Sequence, residues 1–449
     1  MSRIYLLSSN TSMEPYAVYP LGMAIVAASL VNRGHQVHQF DFLVSGKSVS
    51  LLQKTLGDFN PDFVGISLRN IDTVDSFSSD IWYLRESKIL IEKIREITTA
   101  PLILGGSAFS IMPEEILEYL GADYGIVGAG ELAFPHLIEA LMNGRSVARI
   151  LDGRDASLAM GEMCSPLIEK ELASFYVAQS GLLSSQTKRG CPHDCIYCTY
   201  PSLEGKQFRT REAGAVAEDI ERMKSCYDVR TFCFTDSVFN DTSKKYLEVA
   251  EELLTRKIGI RWSAYFRPKE IGREELRLLK RSGLYAMEVG TDASSDATLE
   301  GLHKRFLFSD VVDFTRMCIE EEIPCCHFMI FGGPKETERT VEEGLKNINE
   351  LGNCLVVVFS GIRILPGTSL CIQAIRDGII TEKTSMLKPV YYFSPNIEPK
   401  IMNERIETAF MGRRNRLFPP SKGQSRINVM NRFGFRGILW DRLISFAKN

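Results

Sequence analysis

Three cysteines, Cys191, Cys195 and Cys198, are the residues of this sequence best suited to metal chemistry. Their Cys-x-x-x-Cys-x-x-Cys spacing lets one short loop direct three thiolates at a common centre. A structural zinc site normally has four protein ligands, but His193 lies inside the loop and the next cysteine, Cys226, stands alone. A cubane 4Fe-4S cluster held by three cysteines leaves one iron without a protein ligand. The spacing therefore favours an iron–sulfur cluster with one open iron.

Residues 188–198 read Lys-Arg-Gly-Cys-Pro-His-Asp-Cys-Ile-Tyr-Cys. A CxxxCxxC loop with an aromatic residue before its last cysteine resembles the signature of radical S-adenosylmethionine enzymes. In that family the open iron binds S-adenosylmethionine, and an electron from the cluster cleaves the sulfonium to release a 5′-deoxyadenosyl radical. The resemblance implies both cofactors here. It also implies that Tyr197 lies beside the adenine, mostly through backbone contacts.

Three further residues match family positions that hold S-adenosylmethionine at strand ends. Asp236 stands where the family commonly binds the methionine ammonium, although it departs from the frequent Gly-Gly-Glu form; the alternative is that it caps the following helix. Glu288 resembles the acid that binds the ribose hydroxyls, and a carboxylate in an apolar strand is costly unless it is paired. Arg363 is the candidate partner of the cosubstrate carboxylate, since a guanidinium fork suits that group.

The strand pattern after residue 181 predicts the scaffold that positions the cysteine loop. Six β-rich segments alternate with amphipathic helical segments, which predicts an open, partial (β/α)6 barrel. Parallel barrels place their chemistry at the C-terminal ends of their strands, and the loop follows the first strand there. The predicted strands are Leu182–Gln186, Arg230–Thr235, Ile260–Ala264, Ala286–Val289, His327–Phe331 and Leu355–Ser360.

The first 145 residues also alternate strand and helix patterns. Their apolar runs are continuous, as expected of strands buried on both faces. This pattern predicts an α/β fold with a doubly wound, Rossmann-like parallel sheet. The predicted strands are Ile4–Ser8, Gln36–Asp41, Phe63–Ser67, Pro101–Leu104 and Tyr124–Val127.

This first domain resembles the cobalamin-binding module found in one large branch of the radical enzymes. The resemblance implies cobalamin as a third cofactor, bound at strand ends where doubly wound sheets hold ligands. No Asp-x-His-x-x-Gly motif is present, so we expect no histidine ligand beneath the cobalt; the alternative is a module that has lost its cofactor. The candidate cobalamin-binding residues are Ser67, Leu68, Arg69, Asn70, Gly105, Gly106, Ser107, Gly128, Gly130 and Glu131.

The sequence divides into a cobalamin-binding-like domain (1–145), a linker (146–180), a radical barrel (181–385) and a C-terminal extension (386–449). From Met411 to Asn449 the extension has nine basic residues against one acid, Asp441, with aromatic residues between them, Phe446 among the last. One interpretation is a segment that caps the barrel and exposes its charges to water. The other is a basic amphipathic surface that meets an anionic membrane or carrier.

The leading functional hypothesis is a cobalamin-dependent methyltransferase that acts on an unactivated carbon of a lipid-like or other natural-product substrate. The alternatives are a radical cyclase or rearrangement enzyme, and a non-catalytic iron–sulfur or cobalamin-binding protein. The net charge of −3 argues against a general nucleic-acid partner. We expect an electron donor such as flavodoxin or ferredoxin. With no signal peptide evident, we expect a cytoplasmic location, with the extension as a candidate membrane contact.

Overall fold

The first part of the chain folds around a parallel sheet, as the continuous apolar runs predict. The structure is a computed structural model that describes residues 1–154 and 163–444. The strands are β1 Arg3–Ser8, β2 Gln36–Asp41, β3 Phe63–Ser67, β4 Leu102–Gly105, β5 Tyr124–Gly128 and β6 Ile150–Gly153, in the order β2-β1-β3-β4-β5-β6. The helices are α1 Leu21–Asn32, α2 Val49–Phe59, α3 Tyr83–Arg95, α4 Ser107–Ile111, α5 Pro113–Leu120 and α6 Gly130–Met142, with a 3-10 turn at Ser76–Ser78.

The second part forms another parallel sheet that begins at residue 182. Its strands and those of two small hairpins are β7 Leu182–Ser185, β8 Lys188–Arg189, β9 Arg209–Thr210, β10 Thr231–Phe234, β11 Arg261–Phe266, β12 Leu284–Asp292, β13 Cys325–Phe331, β14 Leu355–Ser360, β15 Ile362–Arg363, β16 Tyr391–Tyr392 and β17 Arg416–Leu417. The helices are α7 Lys170–Ser180, α8 Tyr200–Glu204, α9 Ala213–Tyr227, α10 Tyr246–Thr255, α11 Arg273–Arg281, α12 Asp296–Gly301, α13 Phe308–Glu320, α14 Glu338–Glu350, α15 Ser369–Arg376, α16 Pro399–Phe410, α17 Pro420–Arg432 and α18 Trp440–Leu443.

The main sheet of this second part has the strand order β17-β14-β13-β12-β11-β10-β7, and every pairing in it is parallel. Helices cover its outer face, where Trp262 and Phe314 are fully buried. The six predicted barrel strands are all present, and β17 adds a short seventh strand at the edge beside β14. This arrangement confirms the predicted partial barrel.

The extension after residue 386 packs against the inner face of the barrel sheet. Ile438, Trp440 and Leu443 are buried there in one apolar cluster with Ala286 and Cys326 of the strands. The capping interpretation therefore holds for the apolar side of this segment. Phe446 and Lys448, which belong to the same predicted extension, lie outside the described residues.

The segment predicted as a linker, residues 146–180, contains two elements that the sequence pattern did not reveal. Strand β6 pairs with β5 and extends the first sheet, and helix α7 packs against the start of the barrel. A four-residue strand is too short to show a periodicity, which explains why it was missed. Residues 155–162 of this segment lie outside the described ranges. Within those ranges, no helix combines the length and apolar character needed to cross a bilayer.

Candidate functional site

The cysteine loop begins at Gly190, directly after β8. This glycine has φ +89, and a Cβ there would lie 2.0 Å from the carbonyl oxygen of Gln207, so only glycine fits. The amide of Gly190 donates to the Glu204 carboxylate at 3.0 Å, and the amide of Cys191 donates to the Gly205 carbonyl at 3.0 Å. The loop is therefore held at its base by two backbone amides that donate to the Glu204 side chain and the Gly205 carbonyl at the end of α8.

The three thiols suit a cluster better than a single ion. Cys191 is buried, and Cys195 and Cys198 are half-buried. Among residues 1–154 and 163–444, no three His, Cys, Asp or Glu side chains are arranged to hold one metal ion. A cubane cluster needs no such shared point, because each cysteine binds a different iron. Burial raises the pKa of the Cys198 thiol to about 12, and a bound cluster would offset this by stabilising the thiolate.

Charged groups surround the loop at close range. The Tyr197 hydroxyl donates to Asp292 at 2.6 Å, and the buried ammonium of Lys304 forms an ion pair with the same carboxylate. The Arg267 guanidinium contacts the His193 ring, with Nη1 2.9 Å from Nε2, and burial together with Arg267 lowers the pKa of this imidazole to about 4. His193 is therefore neutral at pH 7.

Asp236 is buried below the loop and is occupied by the backbone. Its Oδ1 accepts hydrogen bonds from the amides of Thr187 at 2.8 Å and Lys188 at 3.3 Å, and its Oδ2 accepts from the Thr187 hydroxyl. Burial raises the pKa of this carboxyl to about 6. The helix cap is not seen, because the carboxylate crosses from the end of β10 to fix the chain that leads into the cysteine loop. The ammonium contact stays a prediction.

Arg363 lies at the contact between the two domains. Its Nε donates to Asp72 at 2.7 Å, and its Nη1 and Nη2 donate to the carbonyls of Ile364 and Met386, each at 2.6 Å. Both side chains of the Asp72 ion pair are almost completely buried. The assignment of Arg363 to the cosubstrate carboxylate stays a prediction; in this fold its guanidinium fork joins the two domains.

Glu288 lies on the inner face of β12, enclosed by aromatic residues. Its Oε1 accepts from the Trp440 indole at 3.2 Å and from the Tyr16 hydroxyl at 3.5 Å. Its Oε2 is buried and makes no hydrogen bond of good geometry in the described part of the chain, and the Tyr265 hydroxyl lies close to this carboxylate. Burial raises the pKa of this carboxyl above its ordinary value. The predicted ribose contact remains a prediction, and Oε2 is the atom that could make it.

A cavity of about 590 Å³ lies between the C-terminal ends of the two sheets. Of the predicted cobalamin-binding residues, those lining it are Ser67, Arg69, Gly105, Gly106, Ser107, Gly128, Gly130 and Glu131, whereas Leu68 and Asn70 do not line it. Leu68 is buried instead, and its backbone packs against the turn at Gly106 (φ +95). A Cβ on Gly106 would lie 2.4 Å from the Leu68 carbonyl oxygen.

The first-sheet side of this cavity carries a donor suited to the amide arms of a corrin. The Nη1 atom of Arg69 is buried without a hydrogen-bond partner among the described residues, and this side chain lines the cavity. A corrin carries amide arms whose carbonyl groups can accept from such a donor. Glu131 forms a largely buried ion pair with Arg189, two residues before Cys191, and so links this side of the cavity to the cysteine loop.

The barrel side of the cavity contains residues that sequence patterns did not single out. They include Tyr16, from the loop before α1, and Ser184, Cys233 and Tyr265, from the inner face of the barrel strands. The Tyr16 hydroxyl lies 3.8 Å from the Cys233 sulfur, so a residue of the first domain reaches into the second. A lone tyrosine in an irregular loop has no periodicity, which is why nothing in the sequence pointed to it.

Two family models match the chain. Residues 15–138 match the B12 binding domain, and residues 185–348 match the Radical SAM superfamily. The chain is 25% identical to the tryptophan 2-C-methyltransferase of Streptomyces laurentii, over 84% of this chain and 76% of that protein. It is 24% identical to an uncharacterized methyltransferase of Pyrococcus horikoshii, over 80% of this chain and 79% of that protein.

A solved structure has the same fold along nearly the whole chain. The radical S-adenosylmethionine methyltransferase TsrM of Kitasatospora setae, with tryptophan substrate and a S-adenosylmethionine analog bound, superposes with a TM-score of 0.87 at 21% identity, covering 98% of this chain and 97% of that one. A second structure of that protein has cobalamin and a [4Fe-4S] cluster bound. The comparison confirms the predicted order of the two α/β domains.

Proposed function

Because the chain joins a B12 binding domain to a Radical SAM domain, we propose that it is a cobalamin-dependent radical S-adenosylmethionine methyltransferase. The observation that carries the proposal is a cavity that the C-terminal ends of both sheets share. Moving a methyl group between a corrin and a substrate requires both to reach one space that excludes water.

The residues divide by the group they would hold. Cys191, Cys195 and Cys198 would hold the cluster, and Tyr197 and Glu288 would face S-adenosylmethionine. When bound, S-adenosylmethionine supplies the methyl group and the radical at the cluster, and cobalamin carries the methyl group to the substrate. The protein orients these groups: Gly190 sets the turn of the loop, and the corrin-side residues described above form the cradle.

Methyl-labelled S-adenosylmethionine tests the proposal before the substrate is known. The anaerobically purified protein, reconstituted with iron, sulfide and cobalamin and then reduced, should transfer label to the corrin fraction and release 5′-deoxyadenosine. The Cys198→Ala variant should release none. Absence of both signals from the parent would leave the non-catalytic hypothesis. Release of 5′-deoxyadenosine without label on the corrin would favour a cyclase or rearrangement enzyme.

For the substrate we propose a lipid-like or other natural product with an apolar body. The support is the aromatic lining of the barrel side of the cavity by Tyr16, Tyr200 and Tyr265. The Streptomyces laurentii relative is named for tryptophan, a small aromatic compound, which makes an aromatic amino acid the second candidate. Binding of tryptophan and of an isoprenoid alcohol to the cobalamin-loaded protein, measured by calorimetry, separates the two.

The exposed side of the C-terminal extension supports a peripheral contact with an anionic membrane. Phe433 is 79% exposed, and the exposed arginines Arg414 and Arg426 bind backbone carbonyls instead of acids. Deleting the extension would remove buried residues, such as Trp440 and Leu443, that cover the inner face of the barrel sheet, so point variants give the cleaner test. Phe433→Ser combined with Arg432→Gln should weaken sedimentation with anionic vesicles and leave neutral vesicles unaffected. Equal sedimentation of parent and variant would contradict the membrane contact, and the extension would then only cap the barrel.

An external one-electron donor of the flavodoxin or ferredoxin type would reduce the cluster, and a reducing cytoplasm suits that chemistry. The side of the loop available to such a donor carries the exposed ion pair between Asp194 and Arg305. Reduction by a flavodoxin system should fall with rising ionic strength if charged surfaces bring the proteins together. Stopped-flow reduction at two salt concentrations provides the measurement.

A further inference from the structure

A buried ammonium lies against the cysteine loop. The Lys304 side chain is 6% exposed and pairs with Asp292, whose carboxylate also accepts the hydroxyl of Tyr197, the residue between two of the cysteines. The backbone meets the loop nearby, where the amide of Ile196 donates to the carbonyl of Leu302 at 3.3 Å. Lys304 is thus fixed beside the thiols from two directions.

A second buried cation completes this arrangement. Arg267 is 8% exposed, and its Nη2 donates to the Lys304 carbonyl at 2.8 Å, while its Nη1 contacts the His193 ring. Asp292 is the acid that pairs with Lys304. Asp194 and Arg305 form another ion pair at the loop, but this pair is exposed and its two charges cancel. Lys304, Arg267 and Asp292 together therefore leave one excess positive charge on this side of the loop.

We propose that Lys304 and Arg267 raise the midpoint potential of the cluster held by Cys191, Cys195 and Cys198, and that Asp292 opposes them. The proposal rests on the cluster assigned under the proposed function. A cubane with three thiolates becomes more negative when it accepts one electron from an external donor. A cation held in a poorly screened site stabilises that reduced form, and the potential of such a cluster depends on net charge and burial.

The two members of one ion pair should therefore act in opposite directions. Lys304→Met removes a positive charge and should move the midpoint potential to more negative values. Asp292→Asn keeps the side-chain shape and an acceptor for Tyr197, removes the negative charge, and should move the potential to more positive values. If the pair only stiffened the loop, both variants would loosen the same contacts and would shift the potential in the same direction or not at all.

Arg416 gives a matched control at the other end of the barrel. It is a buried cation bound to backbone carbonyls, among them that of Cys354, and it lies at the N-terminal end of β14. The cysteine loop follows the C-terminal end of β7, so the length of the sheet separates the two. Arg416→Met should reduce stability and leave the midpoint potential unchanged.

The experiment is an anaerobic redox titration of the reconstituted holoenzyme, followed by electron paramagnetic resonance and without S-adenosylmethionine. Opposite shifts for Lys304→Met and Asp292→Asn, with no shift for Arg416→Met, are the expected result. Shifts of the same sign, or none, in proteins that contain the cluster would overturn the inference and leave the proposed function standing. A parent protein that binds no more iron than Cys198→Ala would overturn both. Lys304→Gln repeats the measurement if Lys304→Met loses its cluster.

Discussion

The carboxylate of Asp72 and the guanidinium of Arg363 are 291 positions apart in the chain and 2.7 Å apart in the fold. Asp72 follows the cavity-lining loop that contains Arg69, whereas Arg363 comes just after β14 of the barrel. A second contact lies beside this pair, where the Ser76 hydroxyl donates to the Ser360 carbonyl at 2.6 Å. The barrel therefore anchors the loop that borders the corrin side of the cavity.

Asp72→Asn should destabilise the protein by about 3–5 kcal/mol, because it leaves the buried Arg363 charge without its partner. It should also weaken cobalamin binding, since the loop that carries Arg69 loses its anchor. Urea unfolding and a cobalamin titration measure the two effects. Asp219→Asn, which breaks the buried Arg211 pair inside the barrel domain, is the control. It should lower stability without changing cobalamin affinity, and equal losses of affinity in both variants would contradict the assignment.

Cys198→Ala should lose most of the iron and the visible absorbance of the reconstituted protein, because two thiolates cannot hold a cubane against solvent. The exposed Cys226 offers a matched control, as it lies outside the loop. Cys226→Ala should keep the parent's iron content and spectrum. Iron analysis after anaerobic desalting checks both, and retention of a full cluster in Cys198→Ala would remove this cysteine from the site.

Gly106→Ala should abolish or strongly weaken cobalamin binding. The added Cβ would lie 2.4 Å from the Leu68 carbonyl oxygen, so the turn that lines the cavity would have to move. Gly121→Ala controls for backbone strain alone, because Gly121 also has a positive φ (+71) but has no neighbouring atom within 4 Å. We expect Gly121→Ala to cost about 1 kcal/mol and to bind cobalamin normally. Equilibrium dialysis with hydroxocobalamin would detect the difference.

Glu336 predicts a pH dependence of stability. Its carboxylate is buried and accepts from the Gly332 amide at 3.1 Å, and burial raises its pKa from 4.5 to about 7. Between pH 4.5 and about pH 7, Glu336 is mostly ionised in the unfolded chain but mostly protonated in the folded chain. The folded state therefore binds more protons, and the contribution of this group falls as the pH rises through that window. Below this window Glu336 is protonated in both states. Above it Glu336 is ionised in both states, and its stabilising contribution has been lost completely.

Glu336→Gln removes this ionisation and keeps groups that can bond to Gly332 and Thr340. The variant should therefore gain stability relative to the parent as the pH rises from 5 to 8, by at most about 3 kcal/mol. Melting temperatures of both proteins at several pH values provide the comparison. A difference that stays constant across this range would show that Glu336 has an ordinary pKa in the fold.

The sequence predicted structure best where a pattern of side chains is compatible with only one kind of element or site. Continuous apolar runs such as Ile4–Ser8 have to be buried on both faces, and the loop at Cys191 has few chemical uses, so the two sheets and the cluster site could be predicted. Arg363 could not be placed, because a guanidinium suits an acid of the protein as well as one of a ligand. Its partner Asp72 lies in a loop without periodicity, and only the assembled domains bring the two together.

Residues 438–444, which cover the inner face of the barrel sheet, are synthesised after the strands that they cover. Strands β7 to β14 precede residues 438–444, whose Trp440 covers Glu288 and whose Leu443 covers the apolar inner face. These strands leave the ribosome before the residues that shield them, and an unshielded apolar sheet face is prone to aggregation. The barrel sheet therefore completes its burial only when residues 438–444 have been made, and expression at low temperature with chaperones should raise the yield of folded protein.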